Sequence, residues 1–267
     1  MCLNLVQVYG YRSFVVRALA LFTLLLLLDS KTVRWYIEQG SEKAEGAIVP
    51  MLTDISHILE PGMPTYPYIP PMQFHTVLTH EEAPKLGRYA PGTTFQMASY
   101  ELGGNTGTYL DAPFHRDPHG PDLAALPLEK MAHLPGVLVR VLREGAIDRE
   151  AFSELDLKGK AVLVRTDWSK RWGGDYFRSG PYLTADACHF LVQGGIALVG
   201  IDCANIDDMT DPVRPAHTIL LQAGIPIVEH LRALDQVPAG PFRFFAVPPA
   251  IKGGTSFPVR AFVLTEA

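Results

Sequence analysis

Asp111 and His115 stand four residues apart within residues 103–120, GGNTGTYLDAPFHRDPHG. A carboxylate beside an imidazole suits a metal ligand next to a general base. Pro113, Pro118 and Gly120 forbid a regular helix across the stretch, while Gly103, Gly104 and Gly107 let the backbone turn sharply and approach a ligand closely. Asn105, Thr106 and Tyr109 add hydrogen-bonding groups to the same segment. A plainer use is equally open at this point: Asp111 capping a turn through its own backbone, with His115 a solvated loop histidine. A second polar pair lies in residues 215–231, PAHTILLQAGIPIVEHL. There His217 precedes a short apolar helix that Gly224 ends, and Glu229 follows a strand over 225–228. A helix doubling back onto a strand brings His217 and Glu229 to one edge; the alternative leaves both side chains in solvent.

The elements that must position these groups read as an α/β domain. Residues 51–58, 72–79 and 93–102 have strand composition, the last delivering the chain to Gly103. Residues 123–131 carry Leu123, Leu126, Leu128 and Met131 as a short amphipathic segment. A β-rich run follows at 137–142, and residues 148–155 are predicted helical. Residues 161–166 (AVLVRT) and 196–201 (IALVGI) are continuous apolar runs, the pattern of strands covered on both faces. Between them, residues 184–193 read as a helix with Thr184 as N-cap and Gly194–Gly195 as its end. This strand–helix–strand rhythm predicts a largely buried sheet flanked by helices.

The chain has 267 residues, 48% of them hydrophobic, and a net charge of −5 with both signs interspersed. It can bury a sizeable core, and no basic patch points to nucleic acid. Three cysteines without CxxC spacing argue for a reducing, cytoplasmic setting rather than a disulfide framework. Residues 18–28 (ALALFTLLLLL) form an unbroken apolar run after Arg12 and Arg17, shorter than the roughly 20 residues a spanning helix needs. Residues 1–50 are therefore read as an extension ahead of a domain at 51–267. A translation start at Met51 ranks first, a signal segment second and a membrane anchor third, so membrane association is not expected. Asp202, Asp207, Asp208 and Asp211 lack the spacing of an EF-hand loop, and Asp202 is expected to organise a strand-end turn.

Five blocks in order carry a resemblance. DISHILEPGMPTYP, NTGTYLDAPFH, RTDW, GID and AHTILL…GIPIVEHL together resemble the metal-dependent cyclase/hydrolase family that includes arylformamidases acting on N-formylkynurenine. NTGTYLDAPFH in particular is similar to the family signature H-x-G-T-H-x-D-x-P-x-H. The resemblance implies a single α/β domain of the swivelling β/β/α type, with mixed sheets and flanking helices, and a homo-oligomer, at least a dimer. It also implies metal ligation by Asp111, His217 and Glu229, and a proton-relaying role for His115. Two signature histidines are absent, their positions held by Asn105 and Tyr109. Two carboxylates and one imidazole leave open positions, as in a catalytic site, and suit Zn²⁺ or Mn²⁺. One ion per site is expected rather than two. A phenol ionises only near ~10, so Tyr109 is expected to donate a hydrogen bond, to an oxyanion or to Asp111.

The activity so implied is hydrolysis of a small aromatic amide or lactam C–N bond, with water activated at the ion and His115 moving the proton. Asn105 and Thr106 are placed around the site. Tyr66, Tyr68 and Trp168 are candidate walls for an aromatic substrate, although large aromatics also fill cores. Two other classes stay open: a metal-dependent cyclase or lyase acting on a carbonyl substrate, and a non-catalytic small-molecule-binding relative.

Overall fold

A computed structural model describes residues 51–265, all within the compact unit Pro50–Glu266. The apolar run at 18–28 and the extension to residue 50 lie outside the described residues. Among the described residues, no helix is long and apolar enough to cross a membrane.

The strands in chain order are β1 (Leu52–Asp54), β2 (Gln73–Leu78), β3 (Met97–Glu101), β4 (Tyr109–Asp111), β5 (Leu134–Arg140), β6 (Ala146–Ile147) and β7 (Ala161–Arg165). They continue as β8 (Tyr182–Leu183), β9 (Leu198–Ile201), β10 (Ile227–Glu229), β11 (Phe242–Phe245), β12 (Ser256–Pro258) and β13 (Phe262–Thr265). Nine of them form one sheet in the order β1-β13-β11-β5-β7-β9-β10-β4-β12. Its centre, β5-β7-β9-β10, is parallel, and the strands on either side join antiparallel. The apolar runs read as doubly covered strands are β7 and β9, every residue of which is buried except Arg165.

Alternation along the strands sorts their side chains to two cores. Val162, Val164, Val199, Ile201 and Ile227 pack on one side with the helices α1 (Ala185–Gln193) and α2 (Pro215–Gln222). Leu163, Leu198, Val228, Leu110 and Phe244 pack on the other. Thr184 caps α1 as expected, its side chain accepting the Ala187 N–H, and Gly195 leaves the helix at φ 69°.

Several expectations differ from what is found. Residues 148–155 form only a 3-10 turn, Arg149–Ala151, whose N-cap Asp148 makes no capping bond. So short a segment cannot offset the cost of starting a helix, and burying Phe152 fixes its path instead. The first strand stops at Asp54, because the Asp54 carboxylate accepts the Ser56 N–H and turns the chain. The 93–102 strand does not join the main sheet: β3 pairs with β2 as a separate, mostly exposed hairpin. Leu128 is exposed while its companions Leu123, Leu126 and Met131 are buried.

Candidate active site

Part of the glycine- and proline-rich stretch is regular. Tyr109–Asp111 is a buried strand inside the main sheet, flanked by β10 and β12. The irregular parts lie before and after it. Gly107 turns at φ 64°, and a Cβ on Gly104 would stand 2.5 Å from the Ser256 carbonyl oxygen, so the chain needs glycine at both places.

Register then assembles the site. Glu229 lies opposite Tyr109, and Ser256 opposite Asp111. With a side-chain period of two, Tyr109, Asp111, Glu229 and Ser256 share one sheet face. The Tyr109 hydroxyl donates to Glu229 Oε2, and the Ser256 hydroxyl to Asp111 Oδ1. The expected acceptor for Tyr109 was an oxyanion or Asp111; direct cross-strand opposition selects Glu229.

His217 comes from α2 and is that helix's third residue rather than its predecessor. Pro215 begins the helix with its fixed φ and missing N–H. Asp207 caps it from outside, accepting the backbone N–H of Ala216 at 2.5 Å and of His217 at 3.2 Å. The same carboxylate lies 2.6 Å from His217 Nδ1. This partnership fixes the ring and turns Nε2 toward the two sheet carboxylates, 3.7 Å from Asp111 Oδ2 and 3.8 Å from Glu229 Oε1. Glu229 likewise belongs to its strand instead of following it.

His115 ends the short turn Pro113–His115 beyond β4. Its Nδ1 is 3.3 Å from Ser256 Oγ and 3.9 Å from Asp111 Oδ1, and its side chain is one-third exposed (34%). Ligand atoms of Asp111, His115 and His217 lie within 4.8 Å of one another. Glu229 stands beside this trio with both oxygens engaged, Oε2 by Tyr109 and Oε1 by the Ile206 N–H at 2.6 Å.

Electrostatics follow from dense packing of like charge in a dry place. Burial pushes the Glu229 carboxyl up; His217 opposes this and Asp111 reinforces it. Burial would lower His217, but Glu229, Asp111 and Asp207 overcome it and raise the imidazole to about 10. Asp111 is held below the usual range, because His217, His115 and Ser256 outweigh its desolvation. Burial, then Glu229, drives the Tyr109 phenol well above its ordinary value, so it stays a donor.

One atom tests whether a cation fits. Asp111 Oδ2 is buried and has no hydrogen-bond partner. An orphaned carboxylate oxygen is costly unless a cation faces it. With the oriented His217 nitrogen and the Glu229 oxygen close by, the donor set fits a divalent ion.

The site opens into a pocket of about 390 Å³ lined by Tyr66, Asn105, Tyr109, His115, Arg116, Asn205, Arg214, His217 and Glu229. Asn105 Nδ2 donates to Asp111 Oδ1 at 3.2 Å. Tyr66 is thus brought to the site as the sequence suggested, whereas Tyr68 is almost wholly exposed. Trp168 is not in the pocket lining: it is buried in the helix-side core, its indole N–H donating to the Tyr176 carbonyl at 3.0 Å. Thr106 is fully buried with its hydroxyl unpartnered, and does not line the pocket. Asp202 organises its turn by accepting from Thr166 and Asp167, as expected. His57 stacks on Trp172 outside the pocket, with ring centroids 3.8 Å apart. Sequence reasoning missed Asp207 as the partner of His217, Ser256 as the partner of Asp111, and the pocket-lining Arg116, Asn205 and Arg214. An acidic residue shortly before a proline-started helix was a usable signal for Asp207; Ser256 needs the strand register.

A mixed sheet whose neighbouring strands β4 and β10 carry carboxylates toward a helix-borne histidine defines a metal-binding α/β protein. The family described as putative cyclase matches residues 53–208, and the chain belongs to it. The chain is 28% identical over 211 residues to kynurenine formamidase of Bacillus thuringiensis (strain Al Hakam), covering 79% of this chain and 95% of that protein. Among solved structures it is similar to isatin hydrolase A from Labrenzia aggregata, with a TM-score of 0.69 and 25% identity over 86% of this chain and 98% of that one. It is also similar to a predicted metal-dependent hydrolase from Bacillus stearothermophilus, with a TM-score of 0.64 and 25% identity over 81% and 99% of the two chains.

Proposed function

We propose that this protein is a metal-dependent hydrolase of a small aromatic amide, formamide or lactam, of the arylformamidase type. The observation that carries the reading is the buried, unpartnered Asp111 Oδ2 facing His217 Nε2. Relatives named kynurenine formamidase and isatin hydrolase support the substrate class.

Asp111, His217 and Glu229 would hold one divalent ion, Zn²⁺ or Mn²⁺. Such an ion, when bound, lowers the pKa of water to about 7 and polarises a carbonyl. Asp207 keeps the His217 ring in place, and Tyr109 holds Glu229. His115 contacts Ser256 through Nδ1 and lines the pocket with its ring partly exposed, which supports a role in taking a proton from the attacking water. It then returns that proton to the leaving nitrogen. Tyr66 supplies an aromatic wall, and Asn105 steadies Asp111. The protein is proposed to act in the cytoplasm and as a homo-oligomer. The hairpin β2–β3 supports association, since a lone hairpin is marginal in water and this one exposes Phe74, Val77, Met97 and Tyr100. Light scattering tests that point.

Turnover of N-formylkynurenine, isatin and simple aryl esters, with and without added Zn²⁺ or Mn²⁺, tests the activity. Metal-dependent release of formate or ring opening is expected. Binding without turnover would contradict the hydrolase reading.

A further inference from the structure

Arg214 lines the same pocket, and its guanidinium bonds to Asn205 and to none of Asp111, Asp207, His217 or Glu229. It is the N-cap of α2, yet its side chain makes no capping bond; Asp207 does the capping. Its backbone sits at φ 54°, ψ 59°, a left-handed conformation that a long side chain adopts only where its surroundings impose it. The guanidinium makes one hydrogen bond, Nη1 to Asn205 Oδ1 at 3.0 Å. Asn205 is itself fixed, donating to the Tyr66 hydroxyl at 3.1 Å and accepting the Asp207 N–H at 2.9 Å. Among the described residues no carboxylate comes within ion-pair distance of Arg214, although its charge reaches Asp208. Arg116 is a second cation on the pocket wall. Its Nε donates to Thr218 Oγ1 at 3.0 Å and its Nη2 to the Val213 carbonyl at 2.9 Å, which anchors it to the start of α2.

Charge then points to a ligand. The pocket wall carries two guanidinium groups, Arg116 and Arg214, against one carboxylate, Glu229. A guanidinium with an unused donor edge on a concave wall matches a carboxylate in geometry as well as sign.

We infer that Arg214, supported by Arg116, selects a substrate that carries a carboxylate besides its scissile amide. The inference rests on the hydrolase reading above for the amide, but not for the anion. Arg214 acts here as a specificity residue that fixes one end of the substrate while the other end meets the ion cradle.

The test uses the full-length chain loaded with Zn²⁺ or Mn²⁺ and two matched probe pairs. N-formylanthranilate and formanilide report turnover; anthranilate and aniline report binding by calorimetry. The wild type is expected to prefer the carboxylated member of each pair. In Arg214→Gln that preference should fall about ten- to hundredfold, mainly through KM, and Arg214→Lys should recover part of it. Should Arg214→Gln fail to fold, Arg214→Lys carries the same ratio, with a smaller drop expected. Equal losses for both members would overturn the inference while leaving the hydrolase reading intact. So would undiminished anthranilate affinity in Arg214→Gln, because the carboxylate would then be binding the ion. If neither formamide is turned over, the hydrolase reading fails and anthranilate binding still decides the role of Arg214. Loss of that binding in the variant upholds the role; wild-type binding no tighter than that of aniline refutes it.

Discussion

The two faces of the pocket differ in what their polar atoms are free to do. On one face Asp111 Oδ2 has no hydrogen-bond partner, and Asp207 aims the His217 ring toward it. On the other, Asn105 and Tyr109 are donors already engaged, one with Asp111 and one with Glu229. Both faces draw on strand β4, which carries Asp111 and Tyr109 alike, so the contrast comes from side-chain chemistry and not from scaffold. At the two positions where the signature it resembles has histidine, this chain has Asn105 and Tyr109, which bond to Asp111 and Glu229. A face of carboxylate and imidazole suits a cation; a face of committed donors does not.

The largest break in that comparison is Asp111→Asn, which removes the unpartnered charge itself. Metal binding and turnover should both be lost, as measured by elemental analysis and a formamide assay. His115→Ala should lower kcat by about 10²–10⁴-fold with metal content unchanged, the range for a lost general base. Loss of metal in that variant would make His115 a ligand. Asp207→Asn should weaken metal affinity by about 10–100-fold in a competition titration, because the His217 ring loses its orienting partner. Tyr109→Phe strikes the supporting face. It leaves Glu229 Oε2 without its donor and should cost about 1–3 kcal/mol of stability in urea unfolding. The smallest effect lies beside the site, at His57. Burial, with smaller contributions from His230 and Arg232, holds its folded pKa at about 3, below the ~6.5 of an unfolded histidine. A depressed value means a stabilising contribution present above ~6.5 and lost as pH falls toward about 3. His57→Gln should therefore flatten the acid limb of the metal-free protein's stability curve.

Much of this was legible in the sequence, for reasons that differ by element. The runs AVLV and LVGI announced buried strands because apolar residues in succession have nowhere else to go. Thr184 and Gly195 marked both ends of α1 through local backbone chemistry alone. The ligand candidates Asp111, His217 and Glu229 stood out by type, and they do come together. Ser256 could not be found, since its meeting with Asp111 depends on the antiparallel pairing of β12 with β4, 145 residues apart in sequence. Trp168 was drawn to the pocket by its type and is held in the core by its packing. The predicted helix at 148–155 failed because composition was read without the burial demand of Phe152. Arg214 gave no local signal, as its role depends on a strained turn that only tertiary structure reveals.

The sharpest measurement is the number of divalent ions retained per chain by protein purified without chelators. One tightly held equivalent is predicted, because Asp111 Oδ2 and His217 Nε2 face one another without a hydrogen bond beside Glu229, whereas Asn105 and Tyr109 are committed donors. Two tightly held equivalents would mean that Asn105 and Tyr109 ligate after all, and would contradict the division of the pocket into a binding face and a supporting face.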